Sequence, residues 1–327
     1  MYLVTGGAGF IGSNLVADLA DRGERVIVCD SLGEGDKWRN LAKRELEDVI
    51  PPDRLFDSLR GYAPKLQAVV HLGAISSTTE SDGDRLLETN FRLSREIWRW
   101  CAKQGTPLIY ASSAATYGDG SAGFDDTLDR DELAKFRPLN GYGWSKHLFD
   151  RWVARRLEMD EPAPPQWAGL KFFNVYGPNE YHKRGQASVV WHLFEQIAAG
   201  GPARLFKSHH PDYADGQQLR DFVWIDDCVA VMRWLLQTPE ANGLFNVGTG
   251  RARTFLDLAR AIFAAMGERE HIEFVPTPES IRPRYQYFTQ ASTARLRAHG
   301  YNADFTELED GVRAYVRDHL MQDDPYR

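Results

Sequence analysis

Tyr142 and Lys146, in the stretch Tyr142-Gly143-Trp144-Ser145-Lys146, are the residues whose types and spacing suit redox chemistry at a carbon bearing a hydroxyl. On a helix, residues four apart share one face and can act on a single substrate oxygen. A phenol with a pKa of about 10 is a poor base at neutral pH, and a neighbouring ammonium favours its phenolate. Lys146 can supply that charge. Taken alone, the pair reads equally as a half-buried packing tyrosine beside a solvated lysine, so the elements that position it carry the argument.

The first thirty residues supply such elements. Tyr2-Leu3-Val4-Thr5 is a short β-prone run, Gly6, Gly9 and Gly12 follow in GxxGxxG spacing, and residues 13–19 continue as a helix. Strand, tight glycine turn and helix leave unbonded backbone N–H groups at a helix N-terminus, where a pyrophosphate can approach. Residues 25–30 form a second buried strand ending in Asp30, about 20 residues on, where an acid meets the adenosine ribose of a dinucleotide. Further apolar runs at 68–72, 107–111 and 170–173 alternate with helical patterns, one of them over 85–102. That alternation predicts an α/β chain with a doubly wound parallel sheet of the Rossmann type. Each run ends in a polar or glycine-bearing tip, at 73–76, 112–116 and 174–178, the edge at which such sheets bind ligands. Phe91, Trp98 and Trp100 on the 85–102 helix read as packing residues, not as a platform for stacking bases.

Composition narrows the partners. A chain of 327 residues that is 43% apolar and 26% charged is ordinary for a soluble globular protein. Its net charge of −7, with no basic run, argues against a nucleic-acid surface and for small-molecule partners. No apolar run approaches bilayer length and no signal-peptide pattern opens the chain, so no membrane association is expected and a cytoplasmic location is. Cys29, Cys101 and Cys228 read as reduced, buried thiols. His192, His209 and His210 lack acidic ligands at suitable spacing, so no metal is expected. The proline-bearing segment 158–166 reads as a surface connection, and 209–218 as a mobile loop.

Gly6 to Gly12, Ser112-Ser113-Ala114-Ala115-Thr116-Tyr117-Gly118, Tyr142 to Lys146 and Asn174-Val175-Tyr176-Gly177-Pro178 resemble the extended short-chain dehydrogenase/reductases that modify nucleotide sugars. Finer stretches, Ser76-Ser77-Thr78-Thr79-Glu80, 174–183, Arg220-Asp221-Phe222-Val223, Gly248-Thr249-Gly250-Arg251-Ala252 and 284–290, are similar to the 6-epimerases of ADP-heptose within that family. The resemblance implies that a tightly held nicotinamide cofactor takes a hydride from carbon six of ADP-D-glycero-D-manno-heptose and returns it to the other face. That step serves lipopolysaccharide inner-core heptose synthesis. It also implies a smaller, interleaved α/β substrate-binding domain over about 173–220 and 247–327, with the dinucleotide domain over 1–172 and about 221–246. A homo-oligomer, a pentameric ring, is implied as well.

Site residues follow from the same resemblance. A fixed phenol serves two opposed geometries poorly, and the family's second base falls by position on Lys183. Read alone, Lys183 is a solvated loop lysine with a pKa near 10. With the family it pairs with Tyr142, while Lys146 holds the nicotinamide ribose and Ser113 bonds the reacting oxygen. Cofactor contacts fall on Gly6, Gly9, Phe10, Ile11, Gly12, Asp30, Ser31 and Lys37; on Leu72, Gly73, Ala74, Ile75, Ser76 and Thr89; and on Lys146, Val175 and Lys183. Substrate contacts fall on Ser113, Asn174, Gly185, His192, Phe206, Arg220 and Tyr285, with Gly185 where a small polar residue is expected. Core packing is the alternative for Phe206 and Tyr285, and an ion pair with Asp221 the alternative for Arg220. Asp30 suits the ribose of NAD, whereas Lys37 matches the family's phosphate-binding lysine; NADP is expected and NAD remains open. Pro52 stands where the family has a second such lysine. A 4-epimerase, a 4,6-dehydratase or a non-enzymatic dinucleotide sensor would share the glycine turn. Ala114-Ala115-Thr116 offers no Asp-Glu pair for a dehydratase, and intact Tyr142, Lys146 and Ser113 count against a sensor.

Overall fold

A computed structural model describes residues 1–279, 281–282 and 285–327. Arg284, part of the stretch 284–290 that carries the family resemblance, lies outside the described residues. The strands are β1 (Tyr2–Thr5), β2 (Val26–Cys29), β3 (Asp48–Ile50), β4 (Ala68–His71), β5 (Leu108–Ser113), β6 (Trp167–Phe172) and β7 (Asn174–Tyr176). They continue with β8 (Ala203–Phe206), β9 (Leu219–Arg220), β10 (Phe222–Trp224), β11 (Gly243–Val247), β12 (Arg253–Thr254) and β13 (Ile272–Val275). Seven of them form one parallel sheet in the order β11-β6-β5-β4-β1-β2-β3. The order reverses at β1, between β2 and β4, so the glycine turn and the β4 tip open into one crevice.

Alternation along each strand sends side chains to two cores. Val4, Val28, Val70 and Ile109 face one layer, with the helices Phe10–Asp21 and Ile225–Leu236. Leu3, Ile27, Val69, Leu108 and Tyr110 face the other, with the helices Leu93–Gln104 and Gly141–Glu158. Both faces are covered, which is why β2, β4 and β6 are buried along their whole length. Trp98 is fully buried in the second core, and Phe91 and Trp100 pack against it, as the sequence implied. All three cysteines are buried and free. Smaller sheets pair β7 with β10, β9 with β12 and β8 with β13.

The helix expected over 85–102 is helical from Gly83 to Gln104, but its middle, Leu87–Arg92, is a π-turn. The widened turn carries the buried Asn90 side chain. Its Oδ1 accepts the Ile75 N–H at 2.8 Å, and its Nδ2 donates to Ile75 O and to Ser145 Oγ, both at 2.9 Å. Asn90 thereby ties the β4 tip to the helix that bears Tyr142 and Lys146. Among the described residues, no helix is long and apolar enough to cross a membrane.

Candidate active site

Carboxyl ends of the central strands surround one cavity of about 850 Å³. Its floor is the glycine turn. Gly6 takes φ +66°, and a Cβ on it would stand 2.6 Å from Gly73 N; a Cβ on Gly12 would overlap the Gly6 carbonyl. The helix Phe10–Asp21 begins there with no side-chain cap, so its first-turn amides are free for an external acceptor. A turn kept this tight by Gly6 and Gly12, with uncapped amides at the helix start, fits a dinucleotide pyrophosphate. Gly12→Ala is expected to push the helix off the turn. Cofactor retention through gel filtration should be lost, with a stability cost of about 1–3 kcal/mol; retention at the wild-type level would contradict the fit.

Asn140 caps the helix Gly141–Glu158, its Oδ1 accepting the Gly143 N–H at 2.8 Å. Gly143 is a close approach: a Cβ there would lie 2.6 Å from Ala115 O, in the turn after Ser113. Tyr142 and Lys146 therefore face the end of β5, and both line the cavity with Ser113. Lys146 Nζ donates to Ala111 O at 2.8 Å, and burial pulls its ammonium down to about 8 against the opposing charge of Asp150. The lowered phenol pKa expected from Lys146 is not found. Burial raises the Tyr142 phenol and Asp150 adds to the rise; the Ser113 hydroxyl opposes both, while Lys146 leans toward the β5 backbone.

Lys183 lies in the turn Tyr181–Gln186 and lines the same cavity as Tyr142. Its Nζ sits 5.3 Å from the Phe10 ring centroid. Burial lowers its pKa, with the nearby Glu180 opposing. Glu180, itself fully buried, fixes the turn by accepting from the Ser188 N–H, from Ser188 Oγ at 2.6 Å and from Tyr315 OH at 3.0 Å. Left-handed backbone at Asn179 (φ 71°) and Arg184 (φ 49°) brackets the lysine, a strained conformation of the kind that clusters at working sites. Gln186 Nε2 reaches across to Ser77 Oγ at 2.6 Å, joining this turn to the β4 tip.

Most of the residues expected from sequence converge on the cavity. Gly6, Gly9, Phe10, Ile11, Gly12, Asp30 and Lys37 line it at one end. Leu72, Gly73, Ala74, Ser76, Asn174, Val175 and Gly185 line the rest, beside the four catalytic candidates. Gly185 meets nothing within 4 Å of a built Cβ, so space remains there for the side chain it lacks. Ser31, Ile75 and Thr89 are not among the lining residues. Ser31 O accepts from Lys37 Nζ at 2.9 Å, and Ile75 is clamped by Asn90.

His192, Phe206, Arg220 and Tyr285 also stand outside the lining. Three of them gather beside it: the Phe206 and Tyr285 rings meet edge-to-face at 6.3 Å, and the Arg220 guanidinium lies 5.4 Å from Tyr285 and 5.5 Å from Phe255. Phe255 lines the cavity and links the two clusters. The alternative of an Arg220–Asp221 ion pair is overturned. Asp221 is spent on backbone and hydroxyl donors of Thr249, Gly250 and Ala291, at 2.7–2.9 Å. Arg220 donates to Leu219 O and Gln286 O instead. Sequence reasoning missed Asn90, Glu180 and Gln186 as organising residues; Asn90 fell inside the helical pattern 85–102 and Glu180 inside the stretch 174–183, both singled out for other reasons.

The profile of the NAD dependent epimerase/dehydratase family matches residues 2–248. The chain belongs to that family. A nicotinamide dinucleotide is the cofactor of this family, in keeping with the glycine turn and the uncapped helix start at the cavity floor. Over 329 aligned residues, all of both chains, the sequence is 51% identical to an ADP-L-glycero-D-manno-heptose-6-epimerase of Nitratidesulfovibrio vulgaris. Among solved structures it is similar to the ADP-L-glycero-D-manno-heptose-6-epimerase of Helicobacter pylori, with 27% identity, a TM-score of 0.78, and 97% and 95% of the two chains covered. The UDP-glucose 4-epimerase of Thermus thermophilus in complex with NAD gives 28% identity, a TM-score of 0.76, and 96% and 97% coverage.

Proposed function

We propose that this chain interconverts ADP-D-glycero-D-manno-heptose and ADP-L-glycero-D-manno-heptose at carbon six, with Tyr142 and Lys183 as the two proton carriers. The observation that carries the assignment of roles is the lysine's position: Lys183 shares the cavity of Tyr142, and burial lowers its pKa. Full-length identity of 51% to a heptose epimerase favours this substrate over the ring-carbon chemistry of a 4-epimerase. When bound, the nicotinamide supplies the acceptor and then the donor of the hydride at carbon six.

The chain's own residues handle the protons. Ser113 bonds the reacting oxygen and holds it beside Tyr142. One carrier takes the hydroxyl proton as the carbonyl forms, and the other returns a proton once rotation about the exocyclic bond has presented the opposite face. Lys183 suits this role because burial lowers its pKa and makes its neutral amine more accessible than that of a solvated lysine. Arg220, backed by aromatic rings and free of Asp221, is suited to the substrate's diphosphate. Incubation with ADP-D-glycero-D-manno-heptose should yield the carbon-six epimer, resolved by NMR; an unchanged sugar, or a change at a ring carbon, would refute the assignment.

The favoured cofactor is NADP. Asp30 is occupied on both oxygens, Oδ2 by the Ala8 N–H at 2.9 Å and Oδ1 by Lys37 Nζ at 2.7 Å. Its charge is thereby offset beside the adenosine ribose, which removes the main repulsion of a 2′-phosphate. Lys37→Ala should weaken NADP about 10-fold relative to NAD, since it deletes a cation and exposes the Asp30 charge. Fluorescence titration of the two cofactors checks this. Equal weakening of both, or a bound cofactor lacking the 2′-phosphate, would favour NAD.

A further inference from the structure

We propose that Asp150 and Lys171, a buried ion pair behind the cavity, are positioning residues that hold the Tyr142–Lys146 face against β5 and β6 and set the pH range in which that face works. The inference rests on the reading of Tyr142 as a proton carrier. Asp150 lies four residues past Lys146 and eight past Tyr142, on the same helix face. Its Oδ2 accepts from Ser112 Oγ at 2.7 Å and from Lys171 Nζ at 2.9 Å, and its Oδ1 from Tyr110 OH at 3.3 Å. Lys171 Nζ also donates to Thr116 Oγ1 at 2.7 Å, and Thr116 Oγ1 donates in turn to Ser113 O at 2.8 Å. The ammonium lies 4.7 Å from the Tyr117 ring centroid. One continuous network thus runs from the turn bearing Ser113, through two strands, to the helix bearing Tyr142.

Packing alone does not require charge here. Both side chains have 0% exposure, and an apolar pair of similar volume would join helix to sheet without the cost of desolvating two ions. The charges face groups that work. Asp150 is met by Tyr110 and Ser112 from β5 and Lys171 from β6, with Lys146, His147 and Tyr142 along its own helix; Lys171 is met by Thr116 and Tyr117 from the turn after β5. Asp150 raises the pKa of both Tyr142 and Lys146. It offsets the burial that disfavours the lysine's charge, and it adds to the burial that raises the phenol.

The test is the pH dependence of kcat for epimerisation by the cofactor-loaded enzyme, followed along the limb on which Tyr142 loses its proton. In Asp150→Asn the anion is gone and Lys171 is left unpaired, so the midpoint should fall by about one pH unit. In Asp150→Asn/Lys171→Met no buried charge is orphaned, so folding is protected, and the midpoint should fall by less. A midpoint equal to or above the wild-type value in the double variant overturns the proposal, whether or not the single variant folds. A larger fall in the double variant than in the single does so too. Tyr142→Phe in the same assay separates the two ideas: retained turnover there refutes the reading of Tyr142, whereas lost turnover with unmoved midpoints in the Asp150 variants refutes only the ion pair's role.

Discussion

Tyr142→Phe is expected to lower kcat for carbon-six epimerisation about 10³-fold while leaving cofactor content unchanged. General acid–base catalysis by one positioned group contributes about 10²–10⁴-fold, and phenylalanine removes the proton carrier while keeping the ring that lines the cavity. The group that pulls the phenol's pKa down is the Ser113 hydroxyl, so the substitution strands no buried charge. Stability should fall by about 1 kcal/mol at most, the worth of the lost hydrogen bond with Ser113. The pH dependence has a defined sign. Burial raises the phenol pKa, so the limb on which Tyr142 loses its proton lies at higher pH than for a solvated phenol, and turnover should rise along that limb as the base form grows. Turnover of Tyr142→Phe within tenfold of wild type would remove Tyr142 from the chemistry.

Sequence made the floor of the site legible because its signals are local. A β-prone run, three glycines at fixed spacing and a helix are one contiguous stretch, and the structure places them as β1, the turn and the helix Phe10–Asp21. Tyr142 and Lys146 were legible for the same reason, as an i, i+4 pair; the Asn140 cap that begins their helix emerged with the structure. What sequence could not show depends on tertiary contact. Asn90 reads as an ordinary polar helix residue until the π-turn brings it against Ile75 and Ser145. The direction of the Tyr142 pKa was not legible because burial, its largest cause, arises from tertiary packing, and spacing is equally blind to Ala111 O, which takes the Lys146 ammonium. Arg220 and Asp221 are adjacent in sequence, and adjacency suggested a pair; alternation along the backbone sends them to different partners. Strand β11 was not singled out, since five residues between turns carry little periodicity, yet it completes the sheet beside β6.

Lys183→Met should abolish epimerisation, by about 10³-fold in kcat, while the bound cofactor remains. Methionine keeps the unbranched stem against the Phe10 ring and deletes the ammonium, so the turn has a side chain of similar reach and no proton to give. Glu180 opposes the burial of Lys183, but its hydrogen bonds run to Ser188 and Tyr315; the turn's anchors survive the change. A lysine serving only as a loop cation would lose part of its cofactor affinity on this substitution and keep its turnover at saturating cofactor. A lysine that carries protons on the face opposite Tyr142 loses turnover and keeps its cofactor. Measuring both quantities on one preparation separates the two. The pH profile adds a second reading, because a buried amine with a lowered pKa becomes neutral as pH rises through that pKa. Its contribution as a base is present above that point and lost below it. Wild-type turnover in Lys183→Met at saturating cofactor would leave Tyr142 as the sole carrier and return the chemistry to a single-base scheme.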